Sequence, residues 1–324
     1  RVVTDGRSEL CDVRPDGGGL SDETRVLVLN PTSGNSAHVE RIRTLAADRG
    51  FTVRETEREG QAIELAAGAA SEGASVVAAA GGDGTLNEVI RGLIEADALD
   101  DVVFGVVPAG TGNNFARNVG IESIDHAFEV IEHGDERVID LGFADDRPFL
   151  NSCIGGLTAQ ASSETTAKLK SEFGVVAYVF TTFRTAVDFE GTRLRIETAD
   201  TGERAWQGTA VLLLVGNGRR FPSRGQPQAD AEDGLLDVAI IEEKPGSSLA
   251  GLARSTALER LLGADAGHVT RLKTTGLTVR VLDEEAATFS LDGEMVTARE
   301  LSIEARPESL RLRVGKRYEP HPES

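Results

Sequence analysis

The densest chemistry in the sequence is Gly81-Gly82-Asp83-Gly84-Thr85-Leu86-Asn87-Glu88, set between an apolar run and an amphipathic one. Glycines let a backbone turn tightly and approach a ligand closely. A helix starting at Thr85 offers unpaired N–H groups and the positive end of its dipole, which suits a phosphate. Asp83 stands where a carboxylate reaches a metal or a bound hydroxyl. The segment is not a P-loop, which ends Gly-Lys-Ser/Thr, nor the dinucleotide fingerprint, whose third glycine is Leu86 here. Alone, it reads equally as a phosphate cradle or as an ordinary strand-to-helix turn with Asp83 as a cap.

Two more turns of this kind accompany it. Pro108-Ala109-Gly110-Thr111-Gly112-Asn113-Asn114-Phe115-Ala116-Arg117 also ends an apolar run and opens a helical one, and Asn30-Pro31-Thr32-Ser33-Gly34 follows the first such run. In a parallel sheet all three lie at the carboxyl ends of strands, the edge where ligands bind. Together they point to a nucleotide phosphate site.

Farther along, Asp292-Gly293-Glu294 ends a strand-like run. A close carboxylate pair on a tight turn suits a general base or a metal ligand; Asp-Gly is also a common hairpin dipeptide, and both readings stay open. Asp230, Asp233 and Gly234 form an acidic turn that either holds Mg²⁺ or Ca²⁺ or is a solvated loop. Arg219, Arg220 and Arg224 are a rare basic cluster in an acidic chain, suited to an anionic ligand or lipid headgroup. His38, His126, His133, His268 and His321 show no ligand spacing, and no Gly-x-Ser-x-Gly elbow or Cys/His pair suggests a nucleophile.

The elements that must position these groups change character along the chain. Residues 1–24, rich in Gly, Asp and Glu, read as a flexible lead-in. Strands over 26–29, 51–53, 74–80 and 102–107 alternate with helices over 38–49, 61–70 and 85–96, the signature of βαβ units and a parallel sheet. Beyond about Val138 strand-like runs dominate, at 193–197, 209–215, 236–241, 277–281, 288–291 and 310–314. One clear helix over 247–262 interrupts them, with a shorter one around 175–187. This half reads as mostly antiparallel β.

Composition bounds the function. The chain has 324 residues and 40% apolar side chains, enough for two packed domains. A formal net charge of -19 argues against a nucleic-acid binder, which needs a basic footprint. Lys is scarce among the 34 basic residues, which suits the protein of a salt-loving organism. No apolar run approaches membrane-span length, the start lacks a signal-peptide stretch, and a cytoplasmic protein is expected. Cys11 and Cys153 read as reduced thiols.

In this order the loops resemble those of the soluble bacterial diacylglycerol kinases and of the wider lipid kinase family that includes sphingosine and ceramide kinases, over about residues 25–314. Gly-Gly-Asp-Gly-Thr is shared with NAD kinases. The set of four motifs, and the stretch Glu164–Tyr178 with Lys168-Leu169-Lys170-Ser171, is more specific. The resemblance implies an α/β nucleotide-binding domain over 25–140, completed by about 305–318, and a β-sandwich lipid-substrate domain over 141–304. ATP would lie against Asn30, Thr32, Ser33, Gly34, Asn35, Ser36, Thr56, the stretch from Gly81 to Glu88, Gly110, Thr111 and Asn113. A structural Mg²⁺ would take Asp230, Asp233 and the Leu235 carbonyl. The catalytic carboxylates would be Glu294 as base, Asp292 alongside it, and Asp83; Lys170 matches a lysine near the phosphates or the membrane surface. The partners implied are a lipid alcohol and a membrane surface met transiently, with a homodimer left open.

Two departures from the family pattern stand out. Asn114 replaces an aspartate that joins a network with the equivalents of Asp83 and Asp140, and Asn35 stands where a lysine is usual. Two other readings follow from these residues. One is an NAD-kinase-like enzyme, disfavoured by the Asp292-Gly293-Glu294 turn and the Asn30–Gly34 loop. The other is a nucleotide- or lipid-binding regulator that has lost catalysis, kept open by Asn114.

Overall fold

The structure, a computed structural model, describes residues 24–34, 37–157, 191–200, 204–219, 228–242 and 269–322. The lead-in with Cys11, the positions Asn35, Ser36, Lys170, Arg220, Arg224 and His268, the stretch 164–178 and the helices expected over 175–187 and 247–262 lie outside the described residues.

Strand β1 (Arg25–Leu29) carries four successive buried apolar residues, as a strand covered on both faces requires. With β2 (Phe51–Glu55), β3 (Val76–Gly81) and β4 (Val103–Pro108) it forms a parallel sheet in the order β2-β1-β3-β4. The crossovers are α1 (Ala37–Asp48), α2 (Gln61–Ser71) and α3 (Asp83–Glu95). Helix α3 therefore begins two residues before the expected Thr85. Gly82, in extended backbone, caps it, and the Asp83 side chain turns away to another helix. After β4 come the five-residue α4 (Asn114–Asn118) and α5 (Ile124–His133), the latter capped by the Ser123 hydroxyl.

The β-rich half holds β5 (Asp135–Ala144), β6 (Arg147–Phe149), β7 (Ser152–Leu157), β8 (Thr192–Thr198), β9 (Arg204–Gly216), β10 (Leu236–Glu242), β11 (Val269–Thr274), β12 (Gly276–Val281), β13 (Ala287–Leu291), β14 (Glu294–Ala298) and β15 (Glu300–Val314). Its pairings are antiparallel, running β14-β13-β7-β9-β8-β12-β15, with β10 and β11 joined through β9. β9 serves several partners: residues 204–210 pair with β8, 213–216 with β7, and 210–216 with β10. Phe289, Leu213, Val215, Ile196, Ile240 and Val279 pack the core of this sandwich, and the free Cys153 is buried there, its thiol pushed up by burial and then by Asp292.

One strand belongs to both halves. The first part of β15 pairs with β12 and sends Leu301, Ile303 and Ala305 into the sandwich core. After an irregularity between Arg306 and Leu310, its last part pairs with the start of β5 and touches β4 in parallel, Leu312 opposite Phe104. Leu310, Leu312 and Val314 then join the α/β core. The sequence shows only the 310–314 part because Pro307-Glu308-Ser309 interrupts the apolar alternation at the irregularity, where a proline is tolerated. Asp140, almost fully enclosed, pins the join: its carboxylate accepts the Glu308 N–H at 3.0 Å and the Gly234 N–H at 2.7 Å.

Candidate active site

The three glycine-bearing turns leave the same edge of the parallel sheet and touch. A Cβ placed on Gly34 would overlap the Ala109 carbonyl, and one on Gly110 would overlap the Gly82 backbone. Only glycine permits that approach. Side chains lock the turns together: Asn30 Oδ1 accepts from the Thr32 N–H at 3.1 Å and its hydroxyl at 2.8 Å, while Asn30 Nδ2 donates to Thr85 Oγ1 at 3.2 Å. Asn113, in left-handed backbone, closes the third turn by accepting the Gly110 N–H at 3.0 Å and donating back to the Gly110 carbonyl at 2.8 Å. Thr32, Gly84 and Thr111 are exposed on the rim.

Asp83 ties the second turn to the third. Its Oδ2 accepts the Asn114 N–H at 3.1 Å and the Asn114 side-chain amide at 3.4 Å, and its Oδ1 accepts the Phe115 N–H at 3.0 Å. It therefore caps α4. Its own helix, α3, has no side-chain cap, so its first N–H groups stay available at the edge.

The residues of the Gly81–Glu88 stretch separate into two groups. Leu86 is core, 2% exposed, its side chain packed beneath the turns. Asn87 is buried and donates to the Pro148 carbonyl at 2.9 Å, a strut between the halves. Glu88 Oε1 accepts the Gly60 N–H at 3.2 Å. Thr56 is buried, its N–H bonded to the Leu29 carbonyl at the end of β1. The backbone around Gly82–Thr85, with the Asp83 carboxylate and the Thr85 hydroxyl, meets the other two turns.

Across the cleft, Asp292-Gly293 is the two-residue turn between β13 and β14, with positive φ at both positions. The Asp292 carboxylate accepts the N–H of Leu150 at 2.6 Å, of Asn151 at 3.1 Å to each oxygen, and of Ser152 at 2.8 Å. Desolvation raises its pKa to about 6 against the pull of these bonds, and the nearby Asp83 charge adds to the rise. Glu294, two residues on, is exposed: Arg147 Nη1 lies 3.2 Å from one oxygen and Arg91 Nη1, on α3, 3.9 Å from the other. The corner is thus contiguous with both halves.

The acidic turn before β10 is built differently. Asp230 Oδ1 accepts the Glu232 N–H at 3.0 Å, and its Oδ2 meets His321 Nδ1 at 2.9 Å, which raises the imidazole pKa. Asp233 Oδ1 accepts the Leu235 N–H at 3.0 Å, and its Oδ2 meets Lys273 Nζ at 2.9 Å. Among the described residues no group of three or more His, Cys, Asp or Glu side chains converges as metal ligands. The donor set Asp230, Asp233 and Leu235 carbonyl is all oxygen, which fits Mg²⁺ chemically.

Residues 24–144 match the diacylglycerol kinase catalytic domain, and residues 151–314 match the YegS C-terminal NAD kinase beta sandwich-like domain. Lipid kinase YegS of Escherichia coli (strain K12) is 31% identical over 296 residues, covering 89% of this chain and 95% of that protein. The chain belongs to the diacylglycerol kinase-like family of lipid kinases. A solved diacylglycerol kinase structure from Bacillus anthracis str. Sterne has the same fold, with TM-score 0.72 at 24% identity, covering 91% of this chain and 97% of that one. Family membership makes the chain a phosphotransferase, with an α/β domain and a β-sandwich domain. Among the described residues no helix is long and apolar enough to cross a membrane.

Several residues around the candidate site of this lipid kinase belong to no sequence motif. Arg91, Arg147 and the Leu150–Ser152 amides surround the acidic corner, yet nothing in their local sequence marks them. Asn118 is another. It donates to Asn151 Oδ1 at 2.9 Å and to the Gly218 carbonyl at 3.2 Å, binding α4 to the β-rich half.

Proposed function

We propose that the chain is an ATP- and Mg²⁺-dependent kinase that phosphorylates the hydroxyl of a diacylglycerol-like lipid alcohol. The observation that carries this reading is the contact of three glycine-bearing turns at one sheet edge, opposite a two-carboxylate corner from the other half. The turns offer backbone N–H groups and the uncapped start of α3 to a triphosphate. The division of labour follows: residues 25–140, completed by about 305–318, bind nucleotide, and 141–304 bind lipid.

Glu294 is the general base in this reading. The oxygens of Asp292 are already engaged by backbone N–H groups and serve to anchor the corner, whereas Glu294 is exposed and held only by two arginines. Glu294 takes the hydroxyl proton as the lipid oxygen bonds to the γ-phosphorus and the β,γ-bridging bond breaks, its electrons leaving on ADP. Asp83 holds the second and third turns in register. Mg²⁺, when bound, would neutralise charge on the phosphates, and the Asp230, Asp233 and Leu235 set would hold a structural ion. The protein acts at the membrane surface from the cytoplasm, and its acidic, Lys-poor composition suits high ionic strength.

The test is transfer of label from γ-labelled ATP to a panel of lipid alcohols, run from low to molar salt. Labelled diacylglycerol or an ether-linked counterpart is expected. Nucleotide binding without labelled lipid under any condition favours the regulator, a reading supported by the Asn114 amide occupying Asp83 Oδ2.

A further inference from the structure

We infer that Arg219 is a catalytic residue: with Arg117 it clamps the transferred phosphoryl group from the opposite half of the molecule. This rests on the kinase reading above. Arg219 is carried by the turn after β9, in the β-rich half, but the turn is fastened to both sides of the cleft. The Asn217 N–H donates to the Asn151 carbonyl at 3.0 Å and the Gly218 N–H to the Leu150 carbonyl at 3.1 Å. Those are the residues whose own N–H groups hold Asp292. From the nucleotide side, Asn118 donates to the Gly218 carbonyl, and it ends the helix that Asp83 caps. Arg117, one position earlier, donates through Nη2 to Asn114 Oδ1 at 2.9 Å. Arg219 itself forms an antiparallel bridge with Gln228.

The electrostatics agree with this placement. Burial disfavours the charge on Arg219, the neighbouring Arg117 disfavours it further, and Asp83 and Asp292 favour it. Arg219 therefore stands within electrostatic reach of both carboxylates that flank the cleft and of a second guanidinium. Arg219 is half-buried and Arg117 exposed; their like charges repel, and an anion between them would reverse the sign. A guanidinium presents five N–H donors in a planar fork matched to two phosphate oxygens. During transfer the equatorial oxygens of the migrating group hold the charge while the new O–P bond to the lipid forms and the bond to ADP breaks. The hydroxyl proton goes to Glu294. Arg219 answers that charge from one half and Arg117 from the other, so the clamp is complete only when the halves are joined.

The experiment compares wild type, Arg219→Gln and Arg219→Lys by calorimetric titration with Mg²⁺-ADP and a Mg²⁺-bound β,γ-imido ATP analogue, with lipid-kinase assays and thermal melts alongside. For Arg219→Gln, analogue affinity is expected to fall about tenfold or more while ADP affinity changes less than about twofold. Its kcat is expected to fall on the order of 10³-fold with the ATP KM moving far less, because the contact belongs to the transition state. Arg219→Lys keeps charge and stem but not the fork, and falls between. The clamp is overturned if analogue and ADP affinities fall equally, if neither falls, or if Arg219→Lys melts like wild type and retains full analogue affinity and kcat. A wild type that binds neither nucleotide removes the kinase reading and the clamp with it. A wild type that binds both and labels lipid, with Arg219→Gln unchanged, removes the clamp alone.

Discussion

At the loop edge the surface is made by backbone. Gly34, Gly82 and Gly110 bring three turns into contact, and the one carboxylate among them, Asp83, is occupied with the N–H groups of Asn114 and Phe115. At the acidic corner the surface is made by side chains, and two carboxylates of one hairpin live in different surroundings. Asp292 is desolvated and gripped by the Leu150–Ser152 amides; Glu294 is exposed between Arg91 and Arg147. The edge is fixed by steric necessity. The corner depends on contacts reaching across the molecule, more than 140 residues apart in sequence for Asp292 and Asn151. Binding and chemistry should therefore respond to different perturbations.

Substitutions can break that division, beginning with the largest expected effect. Glu294→Gln should reduce kcat by roughly 10²–10⁴-fold, the usual range for losing a general base, without moving nucleotide affinity. Its ion pairs are exposed, so the melting temperature should hardly change. Full activity in Glu294→Gln, with loss in Asp292→Asn, would exchange the roles of the two carboxylates.

Asp83→Ala should lower activity by at least about 10²-fold, the scale reported for misplaced reacting groups. It should also cost about 1 kcal/mol of stability, because α4 loses its cap. Chemical denaturation alongside the kinase assay separates the two effects. A change in stability with unaltered rate would make Asp83 purely structural.

Gly110→Ala should act on the other side of the comparison. The added Cβ cannot share space with the Gly82 backbone, so the turns must part and ATP affinity should drop about tenfold or more, with the acidic corner untouched. Titration with ATP checks it; unaltered affinity would mean the turns need not touch.

The pH prediction sharpens the corner itself. The Asp292 pKa is raised to about 6 in the folded protein, so the folded state binds the extra proton between the ordinary carboxylate range and pH 6. Its contribution is therefore most stabilising at acid pH and is lost as pH rises through 6. The stability difference between wild type and Asp292→Asn should shift against wild type from pH 4 to 7 and level off above. Thermal melts of both across that interval measure it; a flat difference would contradict the desolvated placement. The smallest effect belongs to Lys273→Ala, which breaks the exposed pair with Asp233 and should cost less than about 1 kcal/mol in a urea titration.

The sequence discloses the loop edge well because each turn is local. A strand, a glycine and a helix start lie within a few residues, as in Gly81–Thr85 and Pro108–Asn114, and the four parallel strands appear where their apolar runs do. Helix α5 goes unread, and so does β5, whose polar opening Asp135-Glu136-Arg137 hides a strand that turns apolar only at Val138. The first part of β15 is concealed by the break at Pro307. The site was legible as motifs but not as an arrangement. That Leu86 is core and Asn87 a strut depends on which face of α3 meets the sheet and β6. That Asp292 is gripped while Glu294 is exposed depends on the residue 147–152 segment folding back on the hairpin. Asp233 likewise finds Lys273 only through the pairing of β10 with β11.

The most direct test of the central claim is a crystal structure with Mg²⁺ and a non-hydrolysable ATP analogue. The account predicts the β- and γ-phosphates within hydrogen-bonding distance of the backbone around Gly34, Gly82–Thr85 and Gly110, with the γ-phosphorus turned toward Glu294 and Arg219. Phosphates seated elsewhere, or a γ-phosphate facing away from the Asp292–Glu294 hairpin, would contradict it.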